Sequence, residues 1–309
     1  MMRFSPWVRA AALLVASLFA ACNLGDSDIP AERLPRFEPA PGAAPQIALV
    51  FGSGGPRGFA HIGVLKVLEA EGIKPDLVVG SSVGAMVGAL YASGMQAKAL
   101  EQLAMEISVL DFFEVGFVTG GPATGRTIQN FVNSRVANVP IERLKTPFVA
   151  VATRARDGEL VLFNRGDTGL AVRASGATPG RFESVRIGGE AYVDGDEASP
   201  VPIRAARKLG ARIVIAIDVS AYEKDTPAGA PAEWVNKDAK RAKLVALEAK
   251  DADILLHPNI GYYAGHDEAY RRRVIALAEA YTRAKMPEIR AALGAQRVTA
   301  RSPEGVASR

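Results

Sequence analysis

Apolar residues in this chain come in short unbroken blocks closed by glycine or a polar residue. Ile47-Ala48-Leu49-Val50-Phe51 ends at Gly52, and Leu77-Val78-Val79 ends at Gly80. Phe148 to Ala152, Leu160 to Phe163, Ile213 to Ile217 and Ile254 to Leu256 repeat the pattern. Blocks of this length, apolar at consecutive positions, predict strands buried on both faces. Between them the spacing changes. Ile62, Leu65 and Leu68 share one face of a helix over His61 to Ala70, with Gly72 as its stop. Val83 to Ser93 predicts a helix of small residues closed by Gly94. Asp267 to Leu293 predicts one long helix or two, Pro287 offering the start of the second. Ala221 to Lys243 predicts a loop with a polar helix. Buried strands alternating with helices imply a mostly parallel sheet covered on both sides, a three-layer α/β/α fold.

The first residues follow a different pattern. Arg3 and Arg9 precede an apolar run from Ala10 to Ala21, shorter than the roughly 20 residues a membrane-spanning helix needs. This is the form of an export signal. The single cysteine, Cys22, directly follows it in Leu18-Phe19-Ala20-Ala21-Cys22. This resembles the lipobox of bacterial lipoproteins, with Phe19 where Leu is commoner. The resemblance implies a lipid-modified Cys22 and a membrane-surface anchor. Asn23, rather than Asp, after it implies the outer membrane of a Gram-negative envelope; a secreted or periplasmic protein is the alternative. The expected organisation is a signal segment over 1–22, a Pro/Ala-rich tether over 23–46, a catalytic domain over 47–294 and a tail over 295–309.

Composition narrows the function. The net charge of +4 over 309 residues is spread along the chain, with no basic stripe interleaved with aromatics, so nucleic acid is not an expected partner. No Cys or His spacing of a metal site occurs, and no cofactor is expected.

Three segments carry candidate chemistry. Gly52-Ser53-Gly54-Gly55-Pro56-Arg57-Gly58 joins the first strand to the first helix. Such a turn aims backbone N–H groups at an anion. It reads as a dinucleotide turn, as an oxyanion hole or as a tight turn alone. The dinucleotide reading fits poorly, because the third glycine of that spacing falls on Arg57. Gly80-Ser81-Ser82-Val83-Gly84 lies between a buried strand and a helix, the context of a G-x-S-x-G nucleophile elbow, with Ser82 at a helix N-terminus. Val193-Asp194-Gly195-Asp196 supplies carboxylates. A serine needs a base, and the chain offers three histidines, His61, His257 and His266, none of which the sequence excludes; His257, after a late strand, suits a Ser-His-Asp esterase.

Together, these segments resemble the patatin-like phospholipase family. Ala174-Ser175-Gly176-Ala177-Thr178-Pro179-Gly180 is similar to the family's A-S-x-A-x-P stretch, and Pro287-Glu288-Ile289-Arg290 to an ending of bacterial members. The resemblance spans Ile47 to Leu293. It implies a patatin-like fold and a Ser82–Asp194 dyad. It also implies an oxyanion hole from the amides of Gly54, Gly55 and Arg57, and an acyl-ester or phospholipid substrate. Gly52, Gly58, Gly80, Gly84 and Gly195 complete the motifs. Two positions depart from the pattern. Ser53 stands where many members have Gly, and Asp196 where Gly or Ala is usual. Asp196 is expected as a solvated loop residue; placed close to Asp194 it would raise that group's pKa. A non-catalytic lipid-binding envelope protein is the alternative it supports. Phe112 to Pro122 and Ala221 to Lys243 are candidate lids, with Phe112, Phe113, Phe117 and Val118 forming either an apolar entrance or core.

Overall fold

The computed structural model describes residues 29–299 except 40, 41, 43 and 109–121. The export signal, Cys22 and the Phe112 to Val118 lid candidate lie outside the described residues.

The centre of the molecule is a parallel sheet. Strands β1 (Ile47–Phe51), β2 (Leu77–Ser81) and β3 (Phe148–Arg154) coincide with apolar blocks of the sequence. A hairpin arm follows: β4 (Leu160–Phe163) runs antiparallel to β3, and β5 (Val185–Ile187) pairs antiparallel with β6 (Glu190–Val193), which also meets β3. β7 (Ile213–Ile217) and β8 (Ile254–Leu256) continue the parallel set, in the order β5-β6-β3-β2-β1-β7-β8.

Alternation along these strands feeds two cores. Leu49 and Phe51 of β1 and Ile215 and Ile217 of β7 face one core; Ala48, Val50, Val214 and Ala216 face the other. The first is covered by α1 (Ala60–Ala70), α2 (Val83–Ala92), α3 (Ala97–Glu106), α4 (Arg126–Arg135) and α5 (Thr168–Ser175). The second lies under α6 (Ile203–Lys208) and Val245 of α7 (Ala232–Ala249). Helices on both faces give the three layers expected. The last helix, α8 (Glu268–Thr299), returns to the first face through Val274, Ile275, Ala278 and Ile289. It passes through Pro287 without a second start. Pro287 is exposed, so the carbonyl that loses its donor one turn earlier, on exposed Arg283, faces water.

Two boundaries shift from their sequence positions. Residues 29–39, assigned to the tether, lie against the body. Arg33 is paired with Asp167 at 3.0 Å, and Arg36 forms a bridge with Arg165. The helix also continues to Thr299, past the expected start of the tail. Among the described residues no helix is long and apolar enough to cross a membrane.

Candidate active site

β1 and β2 are parallel neighbours, with Phe51 opposite Gly80. The glycine turn after β1 and the elbow after β2 therefore leave the sheet side by side, at the carboxyl ends of the strands, where open α/β sheets place their ligands. Contact between them is extreme. A Cβ on Gly84 would lie 2.2 Å from the Phe51 carbonyl oxygen, and one on Gly80 would lie 2.5 Å from the Ala85 Cα. Gly52, Gly58 and Gly195 are equally crowded, against the Ile217 oxygen, the Val83 side chain and the Val151 oxygen. The motif glycines are thus required for close approach more than for turning. The residue that takes the turn is Ser82 itself, at φ 55° and ψ −124°. For a residue with a Cβ this conformation costs about 1–3 kcal/mol, and it lifts the hydroxyl clear of the N-terminus of α2.

Ser82 Oγ donates a hydrogen bond to Asp194 Oδ2 at 2.9 Å. The Ser82 amide is held by Ser175 Oγ, also at 2.9 Å, from the end of α5. Asp194 follows β6 and is buried. Its Oδ2 accepts a second hydrogen bond from Thr178 Oγ1 at 2.6 Å, its Oδ1 one from the Asp196 amide at 2.9 Å, and its carbonyl one from Thr153 Oγ1 at 2.8 Å. Burial, and then the charge of Asp196, push its carboxyl up to about 6, against the three hydrogen bonds that favour the ionised form.

The glycine turn presents two free donors. Gly54 and Gly55 amides have no acceptor among the described residues, whereas the Arg57 amide donates to the Gly54 carbonyl at 3.2 Å. Arg57 therefore drops out as an oxyanion donor: its amide closes the first turn of the short 3-10 helix Gly55–Phe59. Its guanidinium donates to the Tyr262 carbonyl and lies over the Tyr262 ring. Behind the turn, buried His61 donates from Nε2 to the Gly52 carbonyl at 2.9 Å, and burial pushes its pKa down to about 4. It is a neutral strut.

His257 is not brought to Ser82. Its Nε2 donates to the Ser220 carbonyl at 3.0 Å, its Nδ1 stands 3.6 Å from Asp218, and its ring stacks on Tyr222. His266 lines the same cavities as Ser82. Asp196 is not a solvated loop residue. It is buried, and Arg241 of α7 grips both its oxygens at 2.7 and 2.8 Å.

Ser82 sits where two cavities meet. One, of about 200 Å³, is lined by apolar side chains including Ile62, Met86, Leu103, Ile128 and Phe131. The other, of about 350 Å³, is the more polar of the two: Asp194, Lys237, Asp238 and Tyr262 line it together with Pro56, Trp234 and Tyr263. Among the described residues no cluster of His, Cys, Asp and Glu could hold a metal ion. The sequence reading missed Thr178 and Ser175 as individual contacts, although both lie in the stretch it singled out. Arg241, remote in sequence and on a helix read only as polar, gave no signal.

A strained serine at a helix N-terminus, bonded to a buried carboxylate and sharing a cavity with two unfilled amides, stands at the sheet's carboxyl end of a three-layer α/β fold. Residues 49–207 match the sequence model of the family described as patatin-like phospholipase, and the chain belongs to that family. An uncharacterised NTE family protein of Mycobacterium tuberculosis is 34% identical over 205 residues, covering 63% of this chain and 56% of the relative. Lysophospholipase NTE1 of Coccidioides immitis is 30% identical over 189 residues, covering 59% of this chain and 12% of the relative. The match thus spans just over half the length of the mycobacterial protein and a small part of the fungal one. The crystal structure of VipD from Legionella pneumophila shares the fold, with a TM-score of 0.56 at 13% identity over 84% of this chain and 70% of that one.

Proposed function

We propose that the protein is a lipid acyl hydrolase that works through a Ser82–Asp194 dyad. The observation that carries this reading is the 2.9 Å hydrogen bond from Ser82 Oγ to Asp194 Oδ2 at the junction of an apolar and a polar cavity. Membership of a phospholipase family supports it, as does similarity to a protein named lysophospholipase.

In the first step Ser82 Oγ attacks the ester carbonyl carbon, and its proton passes to Asp194. The Gly54 and Gly55 amides take the negative oxygen of the tetrahedral intermediate. Collapse breaks the ester C–O bond, and the leaving alcohol takes the proton from Asp194. Water then attacks the acyl-Ser82, giving its proton to Asp194. A second collapse returns that proton to Ser82 Oγ and releases the carboxylic acid. An Asp raised to about 6 is a better base than an ordinary one, yet is ionised at neutral pH. The apolar cavity suits one acyl chain and the polar cavity a head group. We also propose that Cys22 is lipid-modified and holds the domain at the surface of a bacterial envelope membrane, where such esters are found.

The direct test is hydrolysis of a chromogenic butyrate ester, with fluorophosphonate labelling in parallel, by wild type and Ser82→Ala. Labelling and hydrolysis should both vanish in the variant. A Ser82→Ala protein that hydrolyses at the wild-type rate would sink the reading.

A further inference from the structure

The two positions at which this sequence departs from the family pattern touch each other. Ser53, in the glycine turn, donates from Oγ to Asp196 Oδ1, and both side chains are buried. Arg241 closes on the same carboxylate from α7, Nε on Oδ1 at 2.8 Å and Nη2 on Oδ2 at 2.7 Å. Its third nitrogen stands 3.8 Å from Asp238. The Asp196 amide, in turn, donates to Asp194 Oδ1. Three segments distant in sequence thus converge on one carboxylate: the turn that presents the oxyanion amides, the turn that presents the base, and the helix that walls the polar cavity.

α7 buries Val245 and Glu248. Side-chain bonds hold it further: Lys240 pairs with Glu197 at 2.6 Å, Glu248 accepts from Ser199 Oγ at 2.6 Å and from the Arg204 amide at 2.8 Å, and Asp238 accepts from the Tyr262 hydroxyl at 2.8 Å. Glu197 and Ser199 belong to the segment that follows Asp194. A buried carboxylate without a partner is strongly destabilising, so Asp196 is tolerated because Arg241 is there.

We propose that Asp196, held ionised by Arg241 and tied to the glycine turn by Ser53, is a positioning residue: it fixes base and oxyanion amides relative to each other and sets the pH at which Asp194 takes its proton. The inference rests on the Ser82–Asp194 reading above. Its electrostatic side is consistent with the surroundings. Burial acts to raise Asp196, but the Arg241 charge and hydrogen bonds, with Ser53, hold it below the ordinary carboxylate value. The charged and titratable groups around Asp194 are Asp196 on its own turn, Lys237, Asp238 and Arg241 on α7, and Arg57 on the glycine turn. Arg181, Tyr262, Tyr263 and His266 complete the cavity, and burial lowers His266 from its usual value. Asp196 is the carboxylate whose charge raises Asp194.

The test is the pH dependence of kcat/KM of the full chain on a butyrate ester, with the rate of fluorophosphonate labelling of Ser82 as a second readout. Asp196→Asn removes the repelling anion and leaves Arg241 facing the base, so the acid limb should fall by about one unit. Asp196→Asn with Arg241→Gln removes both charges and should place the limb between the two. Ser53→Ala changes no charge; the limb should stay while kcat drops about tenfold with little change in KM. Circular dichroism checks folding, and the double variant carries the test if Asp196→Asn alone does not fold. A limb that stays at the wild-type pH in the folded Asp196 variants, with labelling still at Ser82, overturns the inference. Loss of the Ser82 or Asp194 requirement in the otherwise wild-type protein would instead overturn the dyad itself.

Discussion

Ser82 and Thr178 donate hydrogen bonds to the same oxygen of Asp194, Oδ2, at 2.9 and 2.6 Å. The arrangement fixes that oxygen, and it also weakens it as a base, because a donor to the ionised form lowers proton affinity. Thr178→Val keeps the shape and removes the second donor. Asp194 should then hold its proton to higher pH. The acid limb of kcat/KM, expected near pH 6 in the wild type from the raised carboxyl, should move up by about half a unit to one unit. Titration of the initial rate from pH 4 to 9 measures it, and a downward shift would show that Thr178 does not bond the ionised form.

Asp194→Asn tests both chemistry and stability. Without a base, kcat/KM should fall by about 10³-fold or more. Stability should go the other way. The folded pKa of Asp194 is raised to about 6, so this group's contribution is fully present below the unfolded value of about 4 and is lost as pH rises through 6. An uncharged Asn escapes that loss. At pH 8 the variant should melt roughly 3–8 °C above the wild type, and the gap should close near pH 4. Thermal melts at the two pH values decide the matter.

Gly84→Ala tests the close approach behind the elbow. The new Cβ would meet the Phe51 carbonyl at 2.2 Å and the Gly52 carbonyl at 2.6 Å, both backbone atoms. Relief requires α2 to move from β1, and Ser82 moves with it. A loss of about 3 kcal/mol is expected, along with about 10² in kcat/KM. Denaturant titration and steady-state rates would show the two together; an unchanged midpoint would mean that the turn is looser than its geometry.

How much of this was legible in the sequence varies by element. β1, β2, β3 and β7 could be read because strands buried on both faces are apolar at consecutive positions and a glycine or a polar residue closes each block. The elbow could be read because Gly80, Ser82 and Gly84 fall between such a strand and a small-residue helix. The β5–β6 hairpin was not legible: its strands are three and four residues long, Arg186 and Glu190 interrupt them, and the buried Val185, Ile187 and Tyr192 are too few to show an alternation. α4 is short and polar on one side, and α5 is eight residues long and buried all round, so neither shows a sustained helical alternation. Asp196 was misread because its partner, Arg241, lies 45 residues away, and ionic pairing at that distance leaves no local pattern. Pro287 leaves one helix or two equally readable for α8, because its effect depends on which side of the helix faces water.

Met86 lies one turn beyond Ser82 on α2 and lines the apolar cavity. If that cavity takes the acyl chain, Met86→Trp should shorten it. Each methylene excluded forfeits about 0.8 kcal/mol, close to fourfold. Hydrolysis of a decanoate ester should therefore drop by about 10², with a butyrate ester within threefold of wild type. Equal losses on both esters would place the chain elsewhere.

Lipid attachment at Cys22 predicts a membrane-bound chain. A single acyl chain gives only marginal membrane binding, and stable anchoring takes two signals or more. A processed lipoprotein cysteine would meet that need. Expressed in a Gram-negative host, the wild-type chain should incorporate radiolabelled palmitate and sediment with membranes. Cys22→Ala should do neither. Because the residue is remote from Ser82 in sequence and follows the apolar leader, detergent-solubilised Cys22→Ala should hydrolyse the butyrate ester at the wild-type rate. Membrane association that survives the substitution without palmitate would assign the attachment to the apolar run Ala10 to Ala21 instead.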